Sequence, residues 1–202
     1  MTHRKLLSFA LFLTICWVPA RAVVPGTAAP DFSGTDSNGI LHMLSQYRGK
    51  FVVLEWANRG CPYDQKHYLS GNMAALQREW TGKGVIWLSI ISSAPGEQGS
   101  VTAAEENKYL KEVKAAPTAA ILDPSGTIGR LYGAKTTPHM FVIDPKGIVV
   151  YQGAIDDKPT TDQADLKGAR NYLTESLTAA MAGKAVAVAS TRPYGCSVKY
   201  RD

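Results

Sequence analysis

The chain has 202 residues, 45% of them hydrophobic, with 22 Lys and Arg against 17 Asp and Glu for a formal net charge of +5. Setting aside Arg4, Lys5 and Arg21 of a leader segment leaves 19 basic against 17 acidic residues, a charge of +2 without basic tracts, which excludes a nucleic-acid footprint. About 180 remaining residues suit one domain with a sizeable core, and no apolar run approaches the ~20 residues a membrane span needs.

Residues 1–22 read as a signal peptide. His3-Arg4-Lys5 is a basic start, Leu6 to Val18 an apolar stretch too short to span a bilayer, and Ala20-Arg21-Ala22 an A-x-A cleavage site. Cys16 follows Leu-Thr-Ile, where a lipoprotein signal wants a small residue. The expectation is an extracytoplasmic protein, periplasmic or secreted. Its two remaining cysteines, Cys61 and Cys196, then lie where disulfides persist.

Downstream, Ser37-Asn38-Gly39 is a hairpin-type turn between short extended pieces. Phe51 to Ala57 is apolar and β-branched, interrupted only by Glu55, and predicts a strand buried on both faces. Asn58-Arg59-Gly60 turns the chain into a helix whose first position suits Pro62. Cys61 then sits at a helix N-terminus. Unpaired N–H groups favour a thiolate there, Arg59, Lys66 and His67 add positive charge, and Asp64 opposes them.

The helix breaks at Ser70-Gly71 and resumes with Met73, Leu76 and Trp80 as core residues. Val85 to Ile91 is a second buried strand, parallel to the first. The loop from Ser92 to Ser100 leaves a carboxyl end of the sheet, where α/β sites form. Thr102 and Glu105 make a capping box for a helix with Tyr109, Leu110 and Val113 on its apolar stripe. Thr118 to Leu122 is a third strand. Asp144-Pro145-Lys146-Gly147 turns an antiparallel hairpin, and Leu166, Ala169, Leu173, Leu177 and Ala180 predict a last helix ending at Gly183. The segment 185–202, which carries Cys196, lies past that helix and is expected to fray.

Strand, turn, Cys61-Pro62 at a helix start, and Thr137-Pro138 before the strand His139 to Asp144 together resemble the thioredoxin fold. The segment from Pro117 to Gly133 resembles the insertion of its peroxiredoxin-like branch, the alkyl hydroperoxide reductase/thiol-specific antioxidant or redoxin family. The likeness runs from Pro30 to Gly183, within a domain drawn as 23–184. It implies an α/β fold with a central mixed sheet, helices on both faces and no cofactor.

It also implies roles. Cys61 is the nucleophile, and Glu55, six residues earlier, stands where thioredoxins keep a buried acid that shuttles the thiol proton. Pro138 matches the cis proline that sets Thr137 beside the thiol, with its backbone free to pair with substrate. His139 then stands near as a proton carrier or a plain strand residue, and Arg59 is the neighbouring cation for substrate.

The departures matter equally. Asp64 replaces the second cysteine of C-x-x-C. Leu54 and Asn58 replace the proline and threonine of the peroxidatic P-x-x-x-T-x-x-C, and Pro138 replaces an arginine. Three readings stand side by side. One is a thiol oxidoreductase in which Cys61 attacks a disulfide, in preference to a hydroperoxide, and Cys196 resolves the intermediate. Another is a non-enzymatic interaction module stapled by a Cys61–Cys196 disulfide. The third is a copper or zinc protein using Cys61, Cys196, His139 and His67.

Overall fold

A computed structural model describes residues 23–201. The expected signal peptide, Cys16 included, lies outside the described residues. Among those residues no helix is long and apolar enough to cross a membrane.

A hairpin comes first: β1 (Ser33–Thr35) and β2 (Leu41–Met43) pair antiparallel around the Asn38-Gly39 turn. Then come β3 (Val52–Trp56), α1 (Pro62–Leu69), α2 (Asn72–Gly82) and β4 (Ile86–Ile91). Gly71 caps α2 in the left-handed region, φ 79°, which breaks the two helices where the Ser70-Gly71 pair predicts. Next follow α3 (Ala103–Glu112), β5 (Ala119–Leu122), α4 (Thr127–Tyr132), the two-residue β6 (Thr136–Thr137), β7 (His139–Ile143), β8 (Val149–Gly153), α5 (Tyr172–Met181) and β9 (Cys196–Ser197).

The main sheet has the order β5-β4-β3-β7-β8. The three strands β3, β4 and β5 run parallel, while β7 is antiparallel to both β3 and β8. Each face carries its own core. On one, Val53, Trp87, Met140 and Val142 meet Tyr68, Met73 and Trp80 of the first two helices and Leu173 and Leu177 of α5. On the other, Leu54, Trp56, Ile90 and Phe141 meet Ile128 and Tyr132 of α4 and Phe32 from the amino-terminal segment. β3 is buried along its whole length, as a central strand with helices above and below must be.

Three expectations need correction. The last helix starts at Tyr172, six residues after Leu166, because Gly168 adopts φ 81° and Asn171 caps the helix by accepting the Thr174 N–H at 2.8 Å. In α3 the fully buried side chain is Glu106, with Tyr109 and Val113 only half-buried. The carboxyl-terminal segment does not fray. β9 pairs antiparallel with β6, Ser190 bridges to Gln152, and Val198 is buried in the core. Periodicity could not reveal this, since the segment is held by seats elsewhere in the fold.

Those seats are glycines. A Cβ on Gly153 would lie 2.2 Å from Thr191 Oγ1, and one on Gly129 would lie 2.4 Å from the Tyr200 hydroxyl. Tyr200 also donates to the Ala134 carbonyl at 2.9 Å, and Ala94 N–H donates to the Lys199 carbonyl at 2.8 Å.

Candidate active site

Cys61 is the N-cap of α1, with extended backbone angles and Pro62 in the first helical position. Its side chain is fully buried. The preceding turn is clamped by the loop 92–100: Asn58 Oδ1 accepts the Gly60 N–H at 2.8 Å, Asn58 Nδ2 donates to the Gln98 carbonyl at 3.2 Å, and Gln98 Nε2 donates to the Gly60 carbonyl at 2.8 Å.

Across from the sulfur stands the Thr137–Pro138 peptide, which is cis. The Cys61 thiol lies 3.0 Å from the Thr137 carbonyl oxygen. The Thr137 hydroxyl is buried with no hydrogen-bond partner. β9 brings the second thiol: Thr137 pairs with Cys196, and the Cys196 N–H donates to Cys61 Sγ at 3.4 Å. Both cysteines are reduced.

This environment separates the two thiols. Burial pushes the Cys61 thiol up, but the Thr137 hydroxyl, the Cys196 thiol and the backbone N–H groups of Asp64 and Cys196 outweigh it, and the thiol lies below its ordinary range. Cys196 is pushed up to about 11, first by burial and then by the bond to Cys61 and the charge there. The two thiols are thus shifted in opposite directions, Cys61 toward the thiolate and Cys196 away from it.

The expected cations are not among the groups that act most strongly on the thiol. The Arg59 guanidinium lies 3.4 Å from Glu105, on the surface. Lys66 is buried, donating to the Lys158 carbonyl at 2.6 Å, with Asp156 3.7 Å away. His67 Nδ1 accepts from Asn72 at 2.9 Å, and burial followed by the Lys66 charge lowers its pKa to about 3, so it is neutral. Asp156 in turn accepts the Tyr194 hydroxyl at 2.5 Å, anchoring the carboxyl-terminal segment just before Cys196. A helix start and an electropositive sequence therefore overstate the role of charge; hydrogen-bond donors set the thiol.

Asp64 does not oppose the thiolate as an anion. It is fully buried, one oxygen accepts the Asn58 N–H, and the other has no partner. Burial, then the charges of Glu55 and Cys61, raise its pKa well above the usual carboxylate range. The carboxyl that neighbours the Cys61 sulfur is thus Asp64, which sequence reasoning treated as a lost cysteine. The available signal was its spacing, one helical turn after Cys61 on the same face.

Glu55 is also fully buried, but its oxygens are filled. Tyr68 donates to one at 2.7 Å; Trp87, Ser89 and Gln77 donate to the other at 2.7, 2.8 and 3.2 Å. Burial raises its pKa against those four bonds. His139 is buried, tied to Gln152 at 3.1 Å through Nε2, with its ring tilted against that of Phe141 at 4.6 Å, and its pKa is lowered to about 4 by burial. It bonds neither cysteine. Among the described residues no three His, Cys, Asp or Glu side chains gather where a metal ion could be held.

The arrangement is that of a thioredoxin-like protein with one buried cysteine at a helix start and a second cysteine delivered by a carboxyl-terminal strand. The sequence pattern of the AhpC/TSA family matches residues 25–152, and the chain belongs to that family. No curated protein matches it. Among solved structures, a hypothetical protein from Sinorhizobium meliloti is 22% identical with a TM-score of 0.74, covering 90% of this chain and 97% of its own. An uncharacterized conserved protein from Geobacillus kaustophilus is 21% identical with a TM-score of 0.77, covering 89% and 93%. A Chlorobium tepidum protein described as a thiol:disulfide interchange protein is 26% identical with a TM-score of 0.51, covering 65% and 85%.

Proposed function

We propose that the protein is an exported thiol oxidoreductase that reduces disulfides, with Cys61 as nucleophile and Cys196 as resolving thiol. The observation that carries this reading is the Cys196 N–H on the Cys61 sulfur, beside the cis Thr137–Pro138 peptide. The Cys61 thiolate attacks a substrate sulfur, forms a mixed disulfide and expels one substrate thiolate, which takes a proton from Asp64. Cys196 gives its proton to the Asp64 carboxylate and attacks Cys61 Sγ. The second substrate thiolate leaves, and the protein holds a Cys61–Cys196 disulfide until an external dithiol resets it. Glu55 acts through Asp64, holding it neutral by its own charge.

Disulfide exchange is favoured over peroxidase chemistry because, among the described residues, no arginine is hydrogen-bonded to the sulfur. Arg59 is engaged by Glu105; Arg130 donates to the Ser125 carbonyl at 3.1 Å and covers the Tyr200 ring at 4.6 Å. Asn58 spends its side chain on the loop and on the Gly60 N–H, so it does not stand in for the threonine that would polarise an O–O bond. Export rests on the basic, apolar and A-x-A pattern of residues 1–22.

Mixed-disulfide trapping tests the assignment. Cys196→Ser accumulates an adduct on Cys61 with a small-molecule disulfide, Cys61→Ser forms none, and the parent protein releases product and gains one internal disulfide. Absence of an adduct in Cys196→Ser, or peroxide consumption at rates typical of dedicated peroxidases, overturns it.

A further inference from the structure

The segment that carries Cys196 is fastened to the helix that Cys61 starts. Tyr194 lies two residues before Cys196, and its ring packs against Tyr63 of α1 with centroids 5.9 Å apart. Its hydroxyl is used in full: it donates to Asp156 Oδ1 at 2.5 Å and accepts from Lys66 Nζ and His67 Nε2 of α1, each at 3.4 Å. Lys66, His67 and Asp156 are all buried, and Asp156 also accepts the Lys158 N–H at 2.9 Å, so this socket has partners of its own. Between Tyr194 and Cys196 stands Gly195 at φ 130°, where a Cβ would lie 2.0 Å from the Thr137 carbonyl oxygen. Only glycine passes there, and glycine is also the residue that constrains the chain least. The strand pairing beyond it is two residues long, and the Cys196 N–H rests on a sulfur whose bonding changes during the reaction. The anchor on α1 is the contact beside Cys196 that the chemistry leaves untouched.

We propose that Tyr194 is a positioning residue for the resolution step: docked on α1 by its hydroxyl, it holds one end of the Gly195 link so that Cys196 returns to the Cys61 sulfur. The proposal rests on the oxidoreductase reading and assigns the rate of its second half to a residue hydrogen-bonded to neither sulfur. In the first half the Cys61 thiolate forms a bond to one substrate sulfur, and the other leaves as a thiolate with the electron pair of the broken S–S bond. In the second, Cys196 gives up its proton, forms a bond to Cys61 Sγ and expels the remaining substrate sulfur as a thiolate. The substrate disulfide is reduced and the two protein thiols are oxidised. Only the second half needs two segments of the chain to meet, so only that half draws on the anchor. The same anchor keeps β9 against the buried Cys61, so loosening it eases the entry of a disulfide and slows the return of Cys196. Lys66 and His67, which the chemistry at the sulfur leaves unused, serve as the socket.

The test is stopped-flow reaction of the reduced full chain with the symmetrical thionitrobenzoate disulfide. Attack by Cys61 releases one thionitrobenzoate at a rate proportional to the reagent; attack by Cys196 on the adduct releases a second at a rate independent of it. Tyr194→Phe keeps the ring and removes a hydrogen bond to a charged group, so the second phase slows about tenfold while the first is as fast as in the parent or faster. Tyr200→Phe, which removes the bond of another hydroxyl of the same segment to the Ala134 carbonyl at 2.9 Å, leaves the second phase at the parent rate. Equilibrated with glutathione, the Cys61–Cys196 disulfide of Tyr194→Phe is easier to reduce, by about 30 mV for a tenfold loss. An unchanged second phase, a first phase slowed in step with it, or equal slowing in Tyr200→Phe overturns the positioning role. If no thionitrobenzoate is released, the oxidoreductase reading fails instead, and the glutathione equilibrium still decides the role of Tyr194, an unshifted potential overturning it.

Discussion

Thr137→Val separates thiol activation from stability. The Thr137 hydroxyl is buried without a hydrogen-bond partner, and it is among the groups that lower the Cys61 pKa, so it is free to donate to the thiolate. Valine keeps the shape and removes the donor. A hydrogen bond to a charged group contributes about 1.5–3 kcal/mol, and sulfur as acceptor places this one near the lower figure. Its loss falls on the thiolate alone, so the thiolate-to-thiol ratio drops roughly tenfold at about 1.4 kcal/mol per factor of ten. A more basic thiolate is also a better nucleophile, which returns about half of that logarithmic loss. Alkylation of Cys61 at neutral pH therefore slows about threefold, and its midpoint moves to higher pH. Stability moves the other way. Where Cys61 is protonated the hydroxyl is an unsatisfied buried donor, a cost of about 1–3 kcal/mol that valine avoids. Iodoacetamide labelling against pH, read on the Cys61 peptide by mass spectrometry, and urea unfolding of the reduced protein give the two numbers. An unchanged labelling midpoint, or a variant several kcal/mol less stable, refutes the role given to the hydroxyl.

Glu106 is lifted to about 7 by burial first, with Arg59 opposing and Glu55 adding. A folded pKa above the unfolded one contributes stability below about 4.5 that is lost as pH rises through 7, so Glu106→Gln gains on the parent by up to about 3 kcal/mol between pH 4 and pH 8; a constant difference across that range contradicts the burial argument. His67 has the opposite sign, its folded pKa of about 3 giving stability present above 6.5 and lost as pH falls toward 3. His67→Gln should lose its disadvantage in acid, as urea midpoints at pH 4 and 7 will show. Asp156→Asn leaves the Lys66 ammonium buried beside a neutral amide and costs about 3–5 kcal/mol, read by thermal unfolding; a loss under 1 kcal/mol means Lys66 finds water. Oxidation to a Cys61–Cys196 disulfide joins residues 135 positions apart, worth about 5 kcal/mol in the chain-entropy model. A working pair retains only part of this, and a gain at the full figure with no trapped adduct identifies a staple.

The sequence by itself determined the elements with local causes. The apolar runs of β3 and β4 report strands buried on both faces; Gly71 and the Thr102–Glu105 box report helix ends; Asn38-Gly39 and Asp144 to Gly147 report turns. Cys61 was legible because its helix start is local too. The residues around the sulfur were not, because their effect depends on distances across the sheet. The charges on Lys66 and Arg59 are spent on Asp156 and Glu105, which no spacing rule connects to them. Asp64 changes from an opposing anion to a neutral neighbour only because burial makes its charge costly. The carboxyl-terminal segment has no periodicity of its own to bury, so its composition reads as a loose end. Its order comes from tertiary gaps left by Gly126, Gly129 and Gly153, and from Gly195 lying flat on the Thr137 carbonyl. That packing, rather than any property of residues 185–202 alone, sets Cys196 on Cys61.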